Sequence, residues 1–125
     1  MNKIPKIAES EWRVMKILWE NSPKTANEIV TLLSAETNWN PKTIKTLLNR
    51  LVKKQALGFE KEGRTYRYYP LVSKDECAKS ERKSILARVY DGSLKPMLAS
   101  FIEEENLLPE EIDELKQILE QKKGK

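Results

Sequence analysis

Residues 40–54, NPKTIKTLLNRLVKK, leave little choice of local structure. Asn40 can cap a helix, and Pro41 suits the first helical position, where its missing N–H costs nothing. Ile44, Leu47, Leu48 and Leu51 follow at i, i+3, i+4 and i+7, a single apolar stripe. The opposite side carries Lys42, Thr46, Asn49 and Lys53, flanked by Thr43, Lys45 and Arg50, and no carboxylate interrupts the cations. One such face on its own is most often a solvated surface. Its neighbours in the chain decide whether it is more.

Upstream, the apolar spacing predicts a helix over Glu9–Glu20. Ala8, Trp12, Met15 and Trp19 share its stripe, Val14 and Leu18 widen it, and the two tryptophans read as core anchors. Asn21-Ser22-Pro23 ends it, because proline disfavours helical geometry in the residue before it. Thr25-Ala26-Asn27-Glu28 is a capping box, followed by Ala26, Ile29, Leu32 and Leu33 on one face. A short polar break with Trp39, expected to pack under the turn, leads into the basic helix. Two helices joined by a short turn, the second basic on its outer side, make a helix-turn-helix pattern.

After Lys54 the period changes to two. Leu57–Lys61 and Arg64–Tyr69 alternate about a turn at Glu62-Gly63, and Pro70 closes the run: a β-hairpin. A hairpin directly after a helix-turn-helix is the wing of a winged-helix domain. Arg64 and Arg67 place cations on it, Tyr68 is expected in the core, and the core of this part is expected to end by Leu71.

The second part reads as three helices. Ser73-Lys74-Asp75-Glu76 is another capping box, opening a helix to about Asp91 with Gly92 as its left-handed stop. Cys77, Ile85, Leu86, Val89 and Tyr90 are its apolar residues. Ser93 is expected to cap a helix bearing Leu94, Met97, Leu98, Phe101 and Ile102. Pro109, with Glu110 and Glu111 in the first turn, opens a last helix striped by Ile112, Leu115, Ile118 and Leu119. That is more apolar surface than so small a unit can hide alone, so the same segment of a second chain is the natural cover. The fold class is therefore mainly α: a winged helix-turn-helix over residues 1–72 and a helical dimerisation segment over 73–125. The interface set is Ile85, Leu86, Val89, Leu94, Met97, Leu98, Phe101, Ile102, Ile112, Leu115 and Leu119. Charge divides at the same place, with 13 Lys+Arg against 7 Asp+Glu in residues 1–72 and 10 against 12 in residues 73–125. The basic part is suited to a polyanion.

Composition narrows the function further. A single cysteine and no histidine exclude an intrachain disulfide, multi-cysteine metal sites and the common histidine-based triads. No metal or cofactor is expected. Glu103–Glu105 and Glu110–Glu111 are runs on helix surfaces without apolar surroundings to shift a pKa, so no enzyme is expected. There is neither an apolar run long enough to span a bilayer nor a signal-peptide core, which points to a cytoplasmic protein without membrane insertion. Double-stranded DNA is the partner that fits the basic helix. Lys42, Thr43, Lys45, Thr46 and Asn49 occupy the part of the helix that reaches base edges, and Arg50, Arg64 and Arg67 are placed for phosphates. The alternative is a winged-helix module that binds protein without operator specificity. It needs an apolar or acidic outer face on the third helix, and Lys42, Lys45, Arg50 and Lys53 oppose it.

These stretches together, IPKIAESEWRVMKILWENSPKTANEIV, WNPKTIKTLLNRLVKKQAL, KEGRTYRYYPLV and DGSLKPMLASF, resemble the penicillinase and methicillin-resistance repressor family (BlaI/MecI type) over nearly the whole chain. The resemblance implies a homodimeric winged-helix repressor of β-lactamase or related resistance genes, bound to a palindromic operator. It also implies relief through a membrane sensor protease and cleavage in the C-terminal segment. Three positions depart from the family pattern. Ala8 stands where a serine is frequent, Gln55 where a glycine is frequent, and Ser100-Phe101 where well-known members carry a scissile Asn-Phe bond. A copper-responsive branch of the same fold carries a C-terminal cysteine cluster, which Cys77 alone does not supply.

Overall fold

The computed structural model describes residues 4–124. Helix α1 (Glu9–Glu20) and a two-residue strand β1 (Lys24–Thr25) precede helices α2 (Ala26–Glu36) and α3 (Pro41–Lys53). Strands β2 (Leu57–Glu62) and β3 (Thr65–Pro70) form the hairpin, and α4 (Lys74–Tyr90), α5 (Leu94–Glu104) and α6 (Pro109–Lys123) follow. The fold is mainly α, a winged helix-turn-helix followed by helices, as its sequence pattern requires. β3 is the central strand, antiparallel to both neighbours, with Thr25 and Glu60 opposite Arg67. Strand β1 had no periodic signal to announce it, since two residues are too few for a period.

The turn of the hairpin is Gly63-Arg64, one residue later than the spacing suggested. Gly63 takes φ 66° at the first loop position, where glycine is favoured in two-residue hairpins. Gly58 has a different reason to be glycine. It pairs with Tyr69, and a Cβ there would stand 2.8 Å from that ring.

Chain Met1–Lys83 forms one compact unit and Ser84–Lys125 another. In the first, the core gathers Val14, Met15 and Leu18 of α1, Ile29 and Leu33 of α2, Ile44, Leu47, Leu48 and Leu51 of α3, and Ala56 and Leu57. The two tryptophans of α1 are rim residues, only half-buried, because its most buried line runs through Glu11, Val14, Met15 and Leu18. They meet edge to face at 5.5 Å, and Trp19 Nε1 donates to the Val72 carbonyl at 2.9 Å. Leu32 is exposed, and Val30 packs on the core in its place. Trp39 does pack against the core, with Arg13 stacked 5.9 Å from its ring centre, and Tyr68 packs there too.

The core also runs past Leu71, which is itself exposed. Val72 packs against it, and Cys77 in the first turn of α4 is fully part of it. This is why the first compact unit extends into α4. The Ser73–Glu76 capping box is formed in both directions, at 3.0 Å each way, and sets that turn. Burial pushes the Cys77 thiol above its ordinary pKa, so it stays protonated and inert near neutrality.

In the second unit, none of the described residues is fully buried. Ser93 sits at the N-cap of α5 without a side-chain hydrogen bond, contrary to expectation. Asp91 and Gly92 both take positive φ, 52° and 83°, so the left-handed stop of α4 begins a residue before the glycine.

Helix α3 ends in a Schellman turn. Ala56 N–H donates to the Leu51 carbonyl and Gln55 N–H to that of Val52, both at 3.0 Å. Gln55 occupies the left-handed position of this turn at φ 66°. The chain keeps the glycine geometry without the glycine, at the cost of a Cβ clash with its own carbonyl. Gln55→Gly should therefore raise stability by about 0.5–1 kcal/mol, read as a higher denaturation midpoint with an unchanged denaturant slope. A lower midpoint would show that the glutamine side chain contributes more than the strain removes.

Candidate nucleic-acid interface

The interface begins with the way α3 is started. Asn40 Oδ1 accepts the Thr43 N–H at 2.8 Å, and Pro41 fills the first helical position. Burial of Ile44, Leu47, Leu48 and Leu51 then fixes the rotation of the helix about its axis. All six residues read from the sequence as its reading face, Lys42, Thr43, Lys45, Thr46, Asn49 and Arg50, are exposed, as is Lys53. Thr46 has a local partner: its hydroxyl donates to the Lys42 carbonyl at 2.9 Å.

The far end of α3 is pinned by a contact that residue spacing did not reveal. Lys54 Nζ donates to Glu11 Oε1 and, at 3.0 Å, to the Lys6 carbonyl. The same carboxylate oxygen accepts the Ala8 N–H at 2.8 Å. Thus Ala8, which has no side-chain acceptor, still has its backbone satisfied by Glu11. Glu11 is 1% exposed, so its charge is compensated almost wholly by Lys54 and that N–H. The visible signal was a glutamate in line with Val14, Met15 and Leu18 of α1. Only the three-dimensional pairing shows what satisfies it there.

On the wing, Arg64 stands exposed at the turn. Arg67 is exposed too, but its Nε lies 3.0 Å from Glu62 Oε2. The same strands bring Lys61 over the Tyr66 ring at 6.0 Å, and Phe59 meets Tyr66 edge to face at 5.2 Å. Lys61 is therefore a third wing cation, which strand alternation alone had not singled out. Among the described residues, no cluster of three or more His, Cys, Asp or Glu is placed to hold a metal ion, and no helix is long and apolar enough to cross a membrane.

In the second unit the residues read as an interface line an open apolar surface. Ile85, Leu86 and Met97 are half-buried, whereas Val89, Leu94, Leu98, Phe101, Ile102, Ile112, Leu115 and Leu119 are exposed. Leu108 and Ile118, both exposed, belong with them and were not in the expected set. Ser100 is half-buried and Phe101 48% exposed, in the last half of α5.

The sequence profile of the penicillinase repressor family matches residues 7–121. The chain belongs to that family. It is 43% identical to the penicillinase repressor of Bacillus licheniformis, across 100% of this chain and 98% of that one. It is 36% identical to the methicillin resistance regulatory protein MecI of Staphylococcus aureus, across 97% and 98%. Among solved structures, the DNA-binding domain of the repressor BlaI matches with TM-score 0.55 and 45% identity, covering 61% of this chain and 93% of that domain. The monomeric form of Bacillus licheniformis BlaI in complex with the blaP half-operator matches with TM-score 0.53, at the same identity and coverage. The protein is accordingly a DNA-binding transcriptional repressor and not an enzyme.

The pinning of α3 can be measured. Lys54→Met should destabilise the repressor by about 2–3 kcal/mol, since it strands a buried carboxylate; the figure is kept below that for fully buried pairs because Lys54 is partly exposed. Adding Glu11→Gln should recover part of the loss, which chemical denaturation of the two single variants and the double variant would show as a non-additive cycle. Strict additivity would mean the two side chains do not depend on each other.

Proposed function

We propose that this repressor of β-lactam resistance genes acts in the cytoplasm as a homodimer on a pseudo-palindromic operator. Residues 1–72 would bind DNA and residues 73–125 would hold the dimer. The observation that carries this reading is the pairing of two surfaces in one chain. One is an α3 face of Lys, Arg, Thr and Asn with no carboxylate, all exposed. The other is an apolar unit without a single fully buried side chain among its described residues. Large apolar side chains stand exposed on all three of its helices, Val89, Leu94, Leu98, Phe101, Ile102 and Leu119 among them, and a second copy is the cover that would also yield two reading helices.

Those two helices would enter successive major grooves, with half-site centres about 10 bp apart or a multiple of it. Lys42, Thr43, Lys45, Thr46 and Asn49 face base edges, and Arg50, Arg64 and Arg67 face phosphates. Release would follow cleavage of the Ser100–Phe101 bond by a membrane sensor protease. That bond lies within α5, one turn from its end, where the Glu105 N–H donates to the Phe101 carbonyl at 3.1 Å. The protease would have to unwind that last turn to extend the chain.

Cutting there leaves Leu94, Met97 and Leu98 on one fragment and the stripe of α6 on the other. Neither buries enough apolar area to hold a partner. A dimer binds its second half-site as an intramolecular event, which is worth roughly 10²–10⁴ in affinity. A fragment ending at Ser100 should therefore sediment as a monomer and lose operator affinity on that scale. Its winged-helix core should survive, because Cys77 is the last core residue. A fragment that stayed dimeric at full affinity would overturn the release mechanism.

The wing gives a separate check. Arg64→Ala should weaken binding to all sequences alike and reduce the slope of log affinity against log salt by about one unit. Arg67→Ala should change the slope less, since Glu62 already compensates that charge. Nitrocellulose or fluorescence titrations across a salt series measure both. A change in sequence preference with Arg64→Ala would instead make the wing a reader of bases.

A further inference from the structure

Thr46 lies in the middle of the exposed face of α3. Lys42 and Thr43 stand one turn before it, and Asn49 and Arg50 one turn after. A helix laid in a groove brings the centre of its outer face nearest the base edges, so a side chain as short as threonine reaches a base only from such a position. The long flanking cations extend from there to either strand.

What Thr46 can offer a base is restricted by its own backbone. Its hydroxyl hydrogen is committed to the Lys42 carbonyl at 2.9 Å. No such bond occupies Thr43, whose backbone N–H is instead capped by Asn40. Threonine is β-branched, so placing Oγ1 against that carbonyl also sets the rotamer and with it the position of Cγ2. With its hydrogen spent on the helix, the hydroxyl cannot also donate to a base, and the methyl is the apolar group that this exposed residue retains. In the major groove the one apolar feature among base edges is the 5-methyl group of thymine.

Resting on the operator-binding reading above, we propose that Thr46 is a specificity-determining residue that reads a thymine by methyl–methyl contact and not by hydrogen bonding. The donor function in this part of the face then falls to Lys42, Lys45 and Asn49. Thr46 supplies exclusion of water around one thymine methyl in each half-site. The hydroxyl serves as the device that orients the methyl.

The test uses the full-length protein and a duplex selected by it from a random-sequence pool. Each thymine of the selected half-site is replaced singly, in both half-sites, by deoxyuridine, which removes only the 5-methyl group. One such replacement should weaken binding of the unaltered protein by roughly four- to fifteenfold, the scale of one or two buried methyl groups. Thr46→Val keeps a methyl at the contact and loses the hydroxyl; it should keep a loss of binding on deoxyuridine replacement of the same thymine. Thr46→Ser keeps the hydroxyl and loses the methyl; it should bind the thymine duplex as weakly as the unaltered protein binds the deoxyuridine duplex, with no further loss on combining them. Both substitutions are at an exposed helical position, and thermal melts confirm that each variant is folded. Full affinity in Thr46→Ser with loss in Thr46→Val would overturn the proposal in favour of a hydroxyl contact. Indifference of the specifically bound, unaltered protein to every deoxyuridine would overturn it as well. A pool from which no sequence emerges would overturn the operator-binding reading itself, a result distinct from either.

Discussion

Helix α3 has to satisfy two partners with one rotation about its axis. Ile44, Leu47, Leu48 and Leu51 are all essentially buried, and each is worth about 1.5–3 kcal/mol when removed from water. Together they outweigh any single surface interaction on the opposite side by an order of magnitude. The core therefore decides which residues face outward, and the reading face is whatever remains. Lys42, Thr43, Lys45, Thr46, Asn49 and Arg50, the proposed reading residues, can vary without disturbing the core, whereas a change in the stripe would turn or unfold the helix.

The ends of α3 are set by polar contacts, each of a different kind. Asn40 caps the start through one hydrogen bond to Thr43. The finish depends on the buried Glu11 carboxylate and on a Schellman turn that holds Gln55 at positive φ. A buried charge pair adds little net stability over an apolar pair of similar size, but it is intolerant of losing one member. Its effect here is positional: it links the end of the recognition helix to the start of α1, so that α3 cannot slide along its own axis without exposing an unpaired carboxylate. The wing shows the opposite regime. Glu62 and Arg67 are largely exposed, so their attraction is screened, and the pair modulates the local charge seen by a polyanion more than it stabilises the hairpin.

How much of this was legible in the sequence follows the range of each interaction. Helices with side-chain N-caps and regular stripes, such as α2 and α3, declare themselves because their determinants lie within one or two turns. The hairpin was visible from its alternation, and its Gly63-Arg64 turn was displaced by only one residue. What escaped were features decided by partners distant in sequence. Strand β1 exists because β3 offers it an edge. Trp12 and Trp19 look like the heart of α1, yet they pack at the rim of a core whose buried line runs through Glu11, Val14, Met15 and Leu18. Cys77 reads as part of the second segment, yet it closes the core of the first. Glu11 stands at i with Val14, Met15 and Leu18 at i+3, i+4 and i+7, on the buried line, but a carboxylate there finds its reason only in Lys54, which is distant in sequence. For the reading face, the positions were legible but the roles were not, since the Thr46–Lys42 bond depends on a rotamer.

The unit from Ser84 onward carries the opposite lesson about cores. Its helices have regular apolar stripes, but no described side chain in it is fully buried. A unit in that condition gains less from burial than one with a closed core, so a partner that covers its stripes would add directly to its stability. If a second copy is the cover, the stability of this unit and the occupancy of the operator both become functions of protein concentration. Such coupling makes one cut within α5 an efficient switch. Breaking the stripe between Leu98 and Ile102 would then remove the proposed cover on both chains at once, whereas a change in the winged-helix core would have to unfold a unit with thirteen buried apolar residues among its described ones. On the proposed reading, α3 would remain folded and held by its own core while the complex that made it bind tightly is gone.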